Sequence, residues 1–284
     1  MTLADVPRYE RGRVRTVGDH AVVVGESVAG LTAARVLADA FADVTVLERD
    51  EYPDGPAPRR GVPHGAHIHA LQEAGRATIE DLFPGFCDTV LARGGLLIDG
   101  ATDLKFYSEG DYLADGPRRL PTYSASRPLF EHAVRTHATA VEGIDLRPGC
   151  QVTDYLTDET GTRVTGVEFR DEQGDEKALP ADVVVDATGR TSRTPEWLRE
   201  QGYPRPELDE VSIDIGYSTT AVLRPPGDRR AILAIAEPPH TRGGAVFPVE
   251  DDLWLVNLHE STGTTPQRIS RGLPTSPRAS RFRR

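Results

Sequence analysis

The stretch "AVVVGESVAGLTAARVLADAFADVTVLERD", Ala21–Asp50, decides the fold. Residues 20–25 are a short apolar, β-branched run that ends in Gly25 and reads as a buried strand. Residues 28–42 place Leu31, Ala34, Val36, Leu37 and Phe41 at helical spacing, and 43–48 read as a second strand. Strand, helix and strand in so short a span make a βαβ unit, whose parallel strands need a crossover connection. The link between strand and helix is Gly25-Glu26-Ser27-Val28-Ala29-Gly30, a variant of the Gly-x-Gly-x-x-Gly turn. Gly25 permits the tight turn and Gly30 permits close packing of helix on strand. The middle position brings the backbone up to a pyrophosphate at the helix N-terminus. Here that position is Ser27, whose hydroxyl can donate to a phosphate oxygen. Phosphate repels a carboxylate, so Glu26 is out of place in this turn unless its side chain points to solvent. Glu48 closes the second strand, where a carboxylate accepts hydrogen bonds from a ribose diol and repels a 2′-phosphate. The competing reading is a strand, turn and helix whose glycines serve packing alone.

Outside this unit, a Pro/Gly/Arg-rich loop precedes a helix expected across 70–82, ending at Pro84-Gly85. Residues 128–140 read as another helix. Residues 144–189 read as short strands and a β-meander whose turns lie at Asp-Glu-Thr-Gly (158–161) and Glu-Gln-Gly-Asp (172–175). The run "DVVVDATG" (182–189) is a central strand arriving at a glycine. From 210 to 258 alternating stretches predict an antiparallel sheet, a second layer.

Composition narrows the function. A hydrophobic content of 38% and charged content of 27% describe an ordinary globular protein. The net charge of −11, with Lys105 and Lys177 as the only lysines, argues against nucleic acid or an anionic membrane as partner. No run is long and apolar enough for a membrane span, and the N-terminus has no apolar signal-peptide core, so a cytoplasmic location is expected. Cys87 and Cys150 lack metal or disulfide spacing and are expected as small buried side chains. His64, His67 and His69 have no cysteine or paired carboxylate nearby in sequence, so no metal site is expected. A short-chain dehydrogenase is excluded, because its Tyr-x-x-x-Lys pair is missing: Ala101 and Gln173 stand four residues before the two lysines.

Four further stretches follow the βαβ unit in order: "RRGVPHGAHIHAL" (59–71), "LFPG" (82–85), "SASRPLFEHAVR" (124–135) and "DVVVDATGRTSRTPEWLREQGY" (182–203). Together they resemble the FAD-dependent oxidoreductases of the group A flavoprotein monooxygenase superfamily, relatives of the aromatic hydroxylases. The resemblance runs from about residue 20 to 258. It implies an α/β fold, a Rossmann-like FAD-binding domain (20–85 and 120–205) interleaved with an antiparallel substrate-side sheet (86–119 and 206–260).

The resemblance also implies roles. Gly25, Ser27, Ala29 and Gly30 would face the ADP pyrophosphate, Glu48 would hold the adenosine ribose, and Arg49 would lie near the adenine. Arg127 would reach the pyrophosphate or ribityl region, where a planar guanidinium binds phosphate bidentately. Ala187, Thr188, Gly189, Arg190 and Ser192 would close around FAD. The loop with Arg60, His67 and His69 would line the flavin edge. The implied cofactor is FAD, with NAD(P)H as a possible electron donor, and the implied activity is monooxygenation of a small organic substrate. No catalytic acid or base is identified. A flavin-dependent reductase or dehydrogenase of isoprenoid double bonds shares this architecture. A halogenase's Trp-x-Trp-x-Ile-Pro stretch is absent. The superfamily's third fingerprint, a Gly-Asp pair beyond the substrate sheet, is not found after residue 260. A Ser/Pro/Thr/Arg-rich tail, 261–284, stands there and is expected to be disordered. The expectation is therefore of a chain truncated at its C-terminus, which either binds FAD or is an incomplete, inactive product.

Overall fold

A computed structural model describes residues 8–10, 12–116, 119–204, 214–237 and 239–261. The expected disordered tail, from Thr262 onward, and residues 205–213 lie outside the described residues. Contacts group the chain into two units. The first comprises Met1–Tyr52, Thr78–Pro84 and Ala133–Glu210; the second comprises Pro53–Ala77, Gly85–His132 and Val211–Arg284. Residues 53–77 and 120–132, which the sequence motifs group with the FAD-binding segments, have their contacts in the second unit.

The first unit is built on the predicted βαβ element: β1 (Gly18–Val24), α1 (Val28–Leu37) and β2 (Phe41–Leu47). A four-stranded parallel sheet has the order Val183–Asp186, β1, β2, Ile144–Arg147. Both faces of β1 are covered, which explains its unbroken apolar run. Ala21 and Val23 pack with Ala34, Phe41, Val44 and Val46 toward α1. Val22 and Val24 pack with Leu47, Cys150, Val167 and Phe169 toward an antiparallel sheet of Gln151–Thr157, Val164–Arg170 and Glu176–Pro180. Full burial of such side chains contributes roughly 1.5–3 kcal/mol each. Both cysteines are buried free thiols, as expected.

The helix expected over 28–42 stops at Leu37, and the second strand begins at Phe41. Phe41 belongs to the helical repeat by spacing, but its ring is buried in the sheet core, and it pairs with Gly18. A Cβ on Gly18 would lie 2.6 Å from the Phe41 ring, so the glycine makes room for the aromatic at the strand start. Tertiary packing overrides the local period here.

In the second unit, a six-stranded sheet has the order Gly216–Leu223, Leu253–Glu260, Arg242–Val249, Ala231–Ala234, Leu104–Ser108, Asp111–Tyr112. It is antiparallel except where Ala231–Ala234 runs parallel to Leu104–Ser108. The antiparallel strands predicted between 210 and 258 are present in this sheet. An additional helix, Phe86–Ala92, occupies ground expected to be strand. Gly85 turns the chain into it at φ +89, and Phe86, Cys87 and Val90 are buried. The helices expected near 70–82 and 128–140 are Glu73–Leu82 and Arg127–Thr139. No helix among the described residues is long and apolar enough to cross a membrane.

Candidate functional site

Three adjacent parallel strands end at one edge of the first unit's sheet. Val24 is in register with Leu47 on one side and Asp186 on the other. The backbone stays paired past the strand ends: Gly25 N–H donates to the Leu47 carbonyl at 2.8 Å, and Ala187 N–H donates to the Val24 carbonyl at 2.8 Å. The "GESVAG" turn, the Glu48–Arg49 exit and the "DATGR" exit, distant in sequence, therefore meet at one edge. In open α/β sheets ligands bind outside the carboxyl ends of the strands.

The turn needs both its glycines. Gly25 has φ +97, and a Cβ there would lie 2.9 Å from the Ala187 carbonyl oxygen. A Cβ on Gly30 would lie 1.8 Å from the Gly25 carbonyl oxygen, so only glycine lets α1 come this close to the turn. Ser27 is the N-cap of α1, with extended backbone (φ −91, ψ −174), and its hydroxyl does not cap the helix. The first N–H groups of any α-helix have no acceptor within the helix, and the helix dipole favours an anion there. Ala29 lies exposed in this first turn. A glycine turn packed this closely, with a helix N-terminus at the carboxyl edge of the sheet, fits the pyrophosphate of a dinucleotide.

Glu48 is buried at this edge. Its Oε2 accepts the Glu26 N–H at 2.8 Å and its Oε1 accepts the Asp50 N–H at 3.0 Å. The carboxylate is thus fixed by backbone donors at the end of the second strand. Arg49 is exposed beside it.

Glu26 corrects the expectation drawn from sequence. Its side chain does not point to solvent; it is wholly buried, and Oε1 accepts the Arg135 Nε–H at 2.5 Å. The Arg135 guanidinium lies 4.7 Å from the centroid of the Tyr52 ring. Burial, then the Glu26 charge, push the Tyr52 phenol far up, so it stays protonated. The ion pair with Arg135 is what lets the carboxylate stay inside. Arg135 and Tyr52 went unnoticed in the sequence; the signal was the unexplained acid in the turn, which needs a partner once buried.

The third exit is organised by Asp186, which sequence reading also passed over as a site residue. Its carboxylate accepts the Thr188 N–H at 2.8 Å, the Thr188 hydroxyl at 2.6 Å, the Ser192 hydroxyl at 2.5 Å and the Thr194 hydroxyl. Burial raises the Asp186 pKa, but the hydrogen bonds from Ser192, Thr188 and Thr194 outweigh it, and the net direction is down. Thr188 and Ser192 thus spend their hydroxyls on Asp186, while the exposed Gly189 (φ +72) and Arg190 complete the turn.

The remaining predicted residues belong to the second unit. Arg127 opens the helix Arg127–Thr139. Ser126 caps that helix, its hydroxyl accepting the Leu129 N–H at 3.2 Å, and the buried Glu250 accepts the Ser126 N–H at 3.0 Å. Glu131 takes two arginines, Arg59 at 2.6 Å and Arg127 at 3.3 Å. Arg60 is exposed. His67 Nδ1 lies 2.7 Å from the Thr219 hydroxyl, which in turn accepts the Asn257 Nδ2–H at 2.8 Å. His69 Nδ1 donates to the His67 carbonyl at 2.9 Å. Burial lowers the pKa of His67, and the charge of His64 adds to it; burial also lowers that of His69. Among the described residues no group of three His, Cys, Asp or Glu could hold a metal ion.

Comparison with known proteins agrees with this geometry. Residues 21–192 match the family described as FAD dependent oxidoreductase. Protein Rv3254 of Mycobacterium tuberculosis is 35% identical over 257 residues, covering 86% of this chain and 54% of that protein. Among solved structures, pqsL of Pseudomonas aeruginosa, a probable FAD-dependent monooxygenase, superposes with TM-score 0.61 at 18% identity. That match covers 86% of this chain and 61% of pqsL. The flavin-dependent brominase Bmp2 superposes with TM-score 0.59 at 18% identity, over 87% of this chain and 56% of its own. The myxobacterial chondrochloren halogenase CndH gives TM-score 0.55 at 19% identity, over 86% and 53%. The chain thus spans about half the length of the curated relative it matches, 54%, and 53–61% of these solved structures. At these identities the structures establish the shared fold. The match across more than half of the chain, from β1 through the Asp186 turn, establishes that the chain belongs to the FAD dependent oxidoreductase family.

Proposed function

We propose that the chain binds FAD at the strand edge formed by Gly25, Glu48 and Ala187, and serves a monooxygenase acting on a small organic substrate. One observation carries the binding half: the tightly packed glycine turn leaves the N-terminus of α1, with Ser27 and the exposed Ala29, at the carboxyl edge of the parallel sheet. Gly25, Ser27, Ala29 and Gly30 would receive the pyrophosphate, and Glu48 the adenosine ribose. Arg49, Ala187, Thr188, Gly189, Arg190 and Ser192 would bound the same edge. Glu48 favours a free 2′-hydroxyl over a 2′-phosphate, which suits the adenosine half of FAD.

When bound, FAD supplies the redox chemistry, taking electrons from a donor such as NAD(P)H and passing them to oxygen. The chain's own part is to bind, orient and exclude water. The resemblance also assigns Arg60, Arg127, His67 and His69 to the cofactor, and their alanine variants test that assignment by FAD uptake. The test is direct. Purified protein should carry or take up FAD with a flavin absorbance near stoichiometric, and NADPH oxidation in air should then depend on an added aromatic or other small organic substrate. Flavin uptake with substrate-independent oxidation would leave the oxidoreductase reading and remove the monooxygenase one. No flavin uptake would remove both.

A further inference from the structure

A carboxylate within the phosphate turn is a liability, since like charges brought together cost binding. The structure answers it with a buried partner. Glu26 sits between Gly25 and Ser27, and its side chain is turned inward onto Arg135, while its backbone N–H donates to Glu48. Arg135 is itself buried and packed under the Tyr52 ring. Three elements are thereby tied at one point: the β1 exit through Glu26, the β2 exit through Glu48 and Tyr52, and the Arg127–Thr139 helix through Arg135. Nothing in the dinucleotide fingerprint calls for this arginine, eight residues into a motif read for Arg127.

We propose that Arg135 is a positioning residue for the dinucleotide turn, which sequesters the Glu26 carboxylate away from the pyrophosphate and thereby sets Glu48 through the Glu26 N–H. Without Arg135, the buried Glu26 loses its guanidinium partner, and rotation outward would bring its charge into the space where phosphates bind. Arg135 would touch no cofactor atom. Its effect on binding would pass entirely through Glu26. This inference rests on the proposed FAD site.

The experiment is a titration with FAD, ADP and adenosine of four proteins: wild type, Arg135→Met, Glu26→Gln and the double variant. Each is checked for a cooperative melt at the titration temperature. Arg135→Met should weaken FAD and ADP binding by about tenfold or more, the scale of an unscreened like-charge contact. It should leave adenosine nearly unchanged, because adenosine carries no phosphate. Glu26→Gln should stay within about threefold of wild type, since its amide oxygen still accepts from Arg135. The double variant should recover most of the lost ADP affinity, because no carboxylate remains to swing out. A purely structural brace predicts the opposite, with the double variant no better than Arg135→Met and adenosine weakened alongside ADP; that result would overturn the proposal. If Arg135→Met does not fold, the double variant, with a neutral pair of similar volume, decides the matter: near-wild-type ADP binding supports it and weak binding refutes it. Failure of wild type to bind FAD or ADP would instead remove the underlying site reading.

Discussion

Glu26 Oε1 and Arg135 Nε meet at 2.5 Å, with the glutamate wholly buried and the arginine nearly so. A residue in the phosphate turn is therefore bonded to a helix more than a hundred positions away in sequence. Breaking such a pair from one side costs more than replacing both members, because the survivor keeps a buried charge. Arg135→Met should lower unfolding stability by about 3–5 kcal/mol, and joint replacement by Glu26→Gln and Arg135→Met by clearly less. Urea denaturation followed by circular dichroism reads both. Equal losses for the two would contradict the pairing.

The close glycine packing of the turn makes a second prediction. Gly30→Ala places its Cβ against the Gly25 carbonyl oxygen, a backbone atom that cannot swing aside. Gly25→Ala adds a side chain at φ +97, where an L-residue is strained by about 1–3 kcal/mol. Both variants should lower the melting temperature, whereas Gly161→Ala, with φ +67 but open space around it, should show the backbone strain alone. Gly30→Ala melting like wild type would contradict the close approach of α1 to the turn.

Asp186 sets an acid limit. Its folded pKa lies below the ordinary aspartate value, since the hydroxyl and N–H donors together outweigh burial. The stability it contributes is present above the unfolded pKa of about 3.9 and is lost as pH falls through the lower folded value. Asp186→Asn should therefore be less stable at pH 6 and should lose less than wild type between pH 5 and pH 3, intervals chosen around that pKa of about 4. Urea midpoints across this range measure it, and parallel pH profiles would contradict the hub.

The imidazoles of the second unit titrate low for a different reason. Burial disfavours the charged ring of His67 and of His69, and His64 adds repulsion. Both folded values lie below the unfolded value of about 6.5, so the stability they contribute is present above that pH and lost on acidification through the folded pKa. Proton NMR of the ring Cε1–H signals should place both midpoints below 6.5, the unperturbed value of about that size. Midpoints at or above it would contradict the burial.

The βαβ unit was legible because three signals agreed: an apolar run ending in Gly25, helical spacing from Val28, and a second run ending in Glu48. The meander turns were legible through Gly161 and Gly174, both at positive φ in the structure. What stayed hidden depends on long-range contact. The end of α1 was misjudged because Phe41 satisfies the helical period yet fills the sheet core. Glu26 was misplaced because its partner lies on another element, and Asp186 looked like a strand residue because its acceptor role is visible only once Thr188, Ser192 and Thr194 fold back on it. The helix Phe86–Ala92 was missed because its seven residues are too few for a period to emerge.

The central claim is that the strand edge at Gly25, Glu48 and Ala187 reads the ADP half of FAD. Calorimetric titration of the purified chain with FAD, ADP and FMN tests it most directly. The account predicts that FAD and ADP bind and compete for one site, while FMN, which lacks the adenosine and its phosphate, binds far more weakly. FMN binding as tightly as FAD, or no binding of FAD and ADP at all, would contradict it.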